Sequence, residues 1–288
     1  MYTSPEDARS DLFLAGAVYL LGPLVIALVL RLLLLDRIDA LVRILALVLP
    51  LAQTVLVPYL LIRYRNESLS DYGLKAASTP ALTMGAGLAL PIVLASLLAA
   101  LFAGVDVFAV VPLIAVGPGA LFDLLVRLVT WLGLTGFAVY VTVKARDAFR
   151  ADYRTVRDGV IEIGRIVGGL AVVTTFILLV ALDFNAARVL LPAGLAASVW
   201  LLLRGLKGPT TTSRATLLTP TVLLALGPFV LSLQADEFVL SLWGASLAAG
   251  VGLLFGALTE TRPSAMGPLG FALTAALISI FPLSAGGL

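Results

Sequence analysis

In a chain with neither histidine nor cysteine, chemistry falls to carboxylates, hydroxyls and cations. Missing histidine removes the commonest metal ligand and the commonest general base near neutral pH. Missing cysteine removes thiolate nucleophiles and disulfides. A zinc-type hydrolytic site needs several converging nitrogen or oxygen ligands and a carboxylate base, and the expected spans place no two carboxylates on one helix. A serine-type intramembrane hydrolase would pair its serine with histidine or lysine. Ser96, Ser198, Ser232, Ser241, Ser246 and Ser279 are available, but the only lysine near a span is Lys144, at an expected helix end. In apolar helices a serine hydroxyl more often returns to a backbone carbonyl. Asp123 and Arg127, one turn apart, read as an interfacial i,i+4 pair. Gly168-Gly169 and the series Gly244, Gly250, Gly252, Gly256 form no phosphate-cradling loop and suit close helix packing. No metal site, cofactor or catalytic residue is expected.

The elements that must carry these residues are membrane helices. Of 288 residues, 60% are hydrophobic and 12% charged, with mean hydropathy +1.09; a soluble domain would carry roughly 25% charged residues. Apolar runs near the length needed to cross a bilayer recur along the chain. The expected fold is all-α: a single polytopic transmembrane helix bundle over residues 1–288, with about nine spans (eight is the alternative). Residues 12–143 hold the first four spans, beginning at about Leu12. Residues 144–165 follow as a cationic helix lying in the membrane interface, because Phe149, Tyr153, Val156, Val160 and Ile163 form one apolar stripe opposite Arg and Asp. Residues 166–216 hold two more spans, and 217–283 the last three.

Charge orients the chain. If the Lys144–Arg165 stretch is cytoplasmic, fourteen of the nineteen Lys and Arg fall on that side, which puts the N-terminus in the cytoplasm. The net charge of +2 is too small to suggest a nucleic-acid partner. The expected location is the plasma membrane of a prokaryotic-type cell.

Three stretches resemble the CPBP family, the CAAX-protease and bacteriocin-processing intramembrane proteins. The first is the loop Arg65-Asn66-Glu67-Ser68-Leu69-Ser70-Asp71-Tyr72-Gly73-Leu74. The second runs from Gly252-Leu253-Leu254-Phe255-Gly256 through Thr259-Glu260-Thr261 to Ser264-Ala265-Met266-Gly267-Pro268. The third is Leu134-Thr135-Gly136-Phe137-Ala138, which is similar to the approach to the family's paired glutamates. Family members are multi-helix metalloproteases. By position, the resemblance puts their paired glutamates on Val139 and Tyr140 and their arginine on Lys144. Their Phe-x-x-x-His motif falls on Phe229 and Leu233 (or, less well, on Phe176 and Val180), and their last motif on Ala272 and Ala276. Only Lys144 and Phe229 resemble what that chemistry requires. The resemblance, with residues 166–216 as a two-span insertion, implies a degenerate member in which these positions are vestigial. Such a protein would bind or scaffold a lipid, a lipidated peptide or a partner membrane helix. The alternative from the residues is a transporter or permease-like component for a neutral or hydrophobic solute, suggested by helices broken at Pro and Gly.

Overall fold

The computed structural model describes residues 4–33, 39–74, 78–106, 111, 113–114, 117–149, 153–181, 185–206, 210–232, 238–261 and 264–278. It is an all-α bundle. Helix α1 spans Pro5–Leu32. Helix α2 (Asp39–Leu51) runs through a π-turn (Ala52–Leu56) into α3 (Val57–Tyr64). Then come α4 (Thr79–Phe102), α5 (Pro118–Ala148), α6 (Val156–Ala181), α7 (Ala186–Gly205), α8 (Arg214–Ser232), α9 (Phe238–Thr261) and α10 (Met266–Ile278). Seven stretches are long and apolar enough to cross a membrane, and α8 and α10 are shorter apolar helices. Phe13, Leu94, Leu121, Val172 and Phe176 project outward, an apolar exterior suited to lipid rather than water. The chain is an integral membrane protein.

Helices α5 and α9 form the centre. Every residue from Phe137 to Ala145 and from Ala245 to Thr259 is buried, as expected where a helix is apolar on nearly all sides, with Lys144 the charged exception. Small residues let neighbours approach. A Cβ on Gly252 would lie 2.5 Å from the Pro220 carbonyl oxygen of α8, and one on Gly85 would overlap the Gly267 carbonyl of α10. The π-turn sits one turn ahead of Pro58, whose ring would otherwise press on the Thr54 carbonyl. That carbonyl faces Gly136 of α5.

Two expectations are corrected here. The first span does not begin at about Leu12. Ser4 caps the helix, its hydroxyl accepting from the Asp7 amide at 3.1 Å, with Pro5 at the first helical position and Glu6 and Asp7 in the first turn. These are strong start signals, and they put Asp7 and Asp11 together on α1. The statement that no span carries two carboxylates fails with that boundary.

Nor do residues 144–165 form one interfacial helix. Lys144 and Arg146 belong to α5, which ends at Ala148. Tyr153–Thr155 (β1) pairs antiparallel with Thr211–Ser213 (β2), joining the loops before α6 and α8. Helix α6 then starts at Val156 and continues straight into the fifth span. Val156, Val160 and Ile163 are buried against the bundle, so most of the stripe meets protein and not headgroups.

Candidate functional site: a buried ion cluster and a lateral groove

At the end of the bundle that holds the N-terminus, α1 and the loop after α3 converge on Lys144 of α5. The Lys144 Nζ donates to Asp11 Oδ2 of α1 at 2.8 Å and to Glu67 Oε1 of the loop at 2.7 Å. The Lys144 side chain is 0% exposed, and Asp11 and Glu67 are nearly as buried. Arg65 extends the cluster outward, donating to Asp11 Oδ1 through Nε (3.1 Å) and Nη2 (3.0 Å) and to Asp7 Oδ1 at 2.7 Å. Those bonds to Asp11 and Asp7 hold the guanidinium's pKa above its ordinary value. Charges buried this deeply persist when paired and hydrogen-bonded, and this cluster is both.

The loop from Arg65 to Leu74 is built to deliver Glu67. Asn66 takes the left-handed conformation (φ 55°) that ends α3, which lets the Glu67 amide donate to the Ile62 carbonyl. Ser68 then caps a 3₁₀ turn over Leu69–Tyr72, with Asp71 answering the Ser68 amide in a capping box. Gly73 (φ 74°) closes it, and a Cβ there would lie 2.8 Å from the Ser264 and Ala265 backbones. The Ala265 amide donates to the Gly73 carbonyl at 3.2 Å. Tyr72 folds back inside the turn, donates to Glu67 Oε2 and stacks on Tyr140 with ring centroids 5.6 Å apart. Burial, and then the Glu67 carboxylate, push the Tyr72 phenol well above its usual pKa. Lys144 Nζ lies 5.8 Å from the centroid of the Tyr140 ring. A third buried acid, Glu260 at the end of α9, lies 3.7 Å from Arg146.

The positions named by the family resemblance separate into two groups. Val139, Tyr140, Lys144, Ala272 and Ala276 are all buried, on α5 and α10, which pack together through the Trp131–Phe271 pair. Phe229 lies elsewhere. It sits near the end of α8, about 22 Å by helical rise from that helix's start at the ion-cluster end, and meets Phe238 at the start of α9 edge-on. Leu233 and Ser279 lie outside the described residues. Among the described residues no group of three carboxylates forms a metal-ligand set. Three of the serines behave as packing groups: Ser96, Ser198 and Ser246 return their hydroxyls to the carbonyls of Val93, Gly194 and Trp243.

The second feature is apolar. Between α6 and α7, above Gly250 and Leu253 of α9, runs a groove of about 730 Å³ that opens sideways to the lipid-facing surface. Gly168 and Gly169 were expected to support close helix packing, yet a Cβ at either would meet nothing within 4 Å. Gly168 and Gly164 on α6, facing Ala193 and Ala196 on α7, leave the space unfilled. The one hydroxyl in its wall, Thr175, is already engaged, accepting from Trp243 Nε1 at 3.2 Å and donating to the Arg188 carbonyl. Arg165 lines the groove at the ion-cluster end of the bundle.

Sequence reasoning missed both features, the first for want of a correct boundary. Ser4-Pro5-Glu6-Asp7 is a legible helix start, and reading it would have set Asp7 and Asp11 one turn apart on α1. Nothing local announces that Glu67 and Lys144, 77 residues apart, meet. The chain matches no protein-family model, no curated protein and no solved structure.

Proposed function

We propose that this protein is a non-catalytic membrane protein that binds a hydrophobic ligand or partner helix at its lipid-facing surface, with the α6–α7 groove as the receiving site. The observation that carries this reading is the groove itself. It is open to the side, mostly apolar, with small residues Gly164, Gly168, Ala193 and Ala196 on its facing helices, and the one hydroxyl in its wall is committed to protein partners. Ligand sites are concave, mostly apolar and a few hundred Å³ in size, and this one fits that description. The likeness to CPBP proteases supplies an ancestry for the same proposal: a bundle whose catalytic positions hold Val139, Tyr140, Ala272 and Ala276 would keep binding and lose cleavage. The test is to purify the full chain in mild detergent and identify what co-purifies, then repeat with Gly168→Leu, which fills the groove. A ligand retained by the wild type and lost in the variant is expected. Stoichiometric zinc together with cleavage of a lipidated peptide would overturn the reading.

A transporter reading draws on one observation, the π-turn at Ala52–Leu56, whose Gln53 and Thr54 are buried and whose Gln53 Nε2 has no hydrogen-bond partner. Protein-dependent flux of a neutral solute into liposomes would favour it. We also place the ion-cluster end in the cytoplasm of a prokaryotic-type cell, because Arg63, Arg65, Arg146, Arg154, Arg157 and Arg214 gather at that end with the N-terminus. A single Ser4→Cys on this cysteine-free chain would then react with an impermeant maleimide only after the cells are opened.

A further inference from the structure

The groove's two ends differ in charge, and that difference selects among hydrophobic occupants. At the ion-cluster end Arg165 lines the groove. On the facing helix Arg204 stands at the C-terminus of α7, its guanidinium 3.9 Å from the ring centroid of Trp200, which also lines the groove. Among the described residues the ion pairs run elsewhere: Glu162 takes Arg154 and Arg214, Glu260 faces Arg146, and no carboxylate pairs with Arg165 or Arg204. Both arginines are solvent-accessible. At the other end, around Leu179 and Val189, the lining is apolar, and Arg188, next to Val189, is partly buried and already engaged. Arginine offers a planar donor fork matched to phosphate oxygens, and Trp beside Arg is the pair favoured at headgroup depth.

Size also discriminates. A spanning helix is a cylinder roughly 10 Å wide and 30 Å long, more than about 2,000 Å³. The groove's 730 Å³ would admit only a strip of such a helix, whereas it is commensurate with a single extended acyl chain.

We propose that the α6–α7 groove seats one acyl chain of an anionic phospholipid, with the phosphate held between Arg165 and Arg204. This rests on the groove being the binding site, and it adds the chemical class of the ligand. Trp200, half exposed in the groove wall, is a built-in reporter, whereas Trp131 and Trp243 are buried. The full chain is reconstituted in phosphatidylcholine vesicles containing a small, equal mole fraction of either brominated-chain phosphatidylglycerol or brominated-chain phosphatidylcholine. Trp200 emission is isolated by subtracting a Trp200→Phe blank.

Two arginines at the same end of facing helices are expected to favour the anionic lipid about tenfold or more in apparent affinity. Arg165→Gln should remove about fivefold of that preference. Gly168→Leu, whose added side chain enters open space, should abolish quenching by both lipids without lowering the midpoint of thermal unfolding. Equal quenching by the two lipids in wild type would overturn headgroup selection and leave the groove as an apolar site. Quenching in wild type no stronger than in Gly168→Leu would overturn acyl-chain occupancy. If the co-purified ligand nevertheless depended on Gly168, the groove would remain the site and its occupant would be a partner helix.

Discussion

The ion cluster and the groove solve opposite problems in the same bundle. Around Lys144 the chain has taken charge out of contact with solvent and answered it: Asp11 and Glu67 each meet a cation, and Tyr72 donates to the remaining oxygen of Glu67. Around Gly168 the chain has left apolar surface unanswered. Completed polar networks tie elements together and fix geometry; unfilled apolar space next to lipid is available to something else. The contrast teaches that the first region serves architecture, and under the proposed function it leaves recognition to the second.

Four substitutions break or sharpen that contrast. Lys144→Met strands Asp11 and Glu67 as buried carboxylates short of their cation and should cost about 3–5 kcal/mol, read as a lower midpoint of thermal unfolding in detergent. Adding Asp11→Asn and Glu67→Gln should recover part of that loss. A wild-type midpoint in Lys144→Met alone would show that the cluster holds nothing together. Next, Gly73→Ala imposes a left-handed conformation on a residue with a side chain and drives its Cβ into the Ser264–Ala265 backbone. A loss of about 2–3 kcal/mol is expected, with Glu67 losing its fixed approach to Lys144.

Tyr72→Phe is milder, about 1–2 kcal/mol for a buried acceptor left with one donor fewer. It also has a pH signature. Because the folded-state pKa of Tyr72 is raised, its contribution is complete below the unfolded phenol's value near about 10 and declines as pH rises above it. Wild-type stability should therefore fall more steeply than that of Tyr72→Phe on titration above about pH 10. Gly168→Leu is the smallest, within about 1 kcal/mol and on the stabilising side, since glycine is a poor helix former. A large loss there would mean the groove is a packed contact after all, and the contrast would collapse.

What could be read from the sequence follows the same divide. Continuous apolar runs such as Phe238–Thr261 specify the bundle because period and length are local properties. The ion cluster was hidden twice over: α1 begun at Leu12 left Asp11 outside the bundle, and the meeting of Glu67 with Lys144 is a contact across 77 residues. The cationic stretch misled for a different reason. Val156, Val160 and Ile163 do form a stripe, but a stripe does not say whether lipid or protein covers it. The answer lies in a distant pairing, β1 against β2 with Tyr153 opposite Ser213, which no local pattern encodes. The groove was invisible because Gly164 and Gly168 have the spacing of a packing motif, and only the positions of α7 and α9 show that nothing fills it.

The ion cluster also sets a schedule for synthesis. Asp11 is made first, its partner Arg65 follows 54 residues later and Lys144 follows 133 residues later. At about 5–20 residues per second, the carboxylate waits some seconds for the arginine and more than twice as long for the lysine. Arg65 is thus the first counter-ion available to Asp11, and Lys144 becomes available only once α5 has been made.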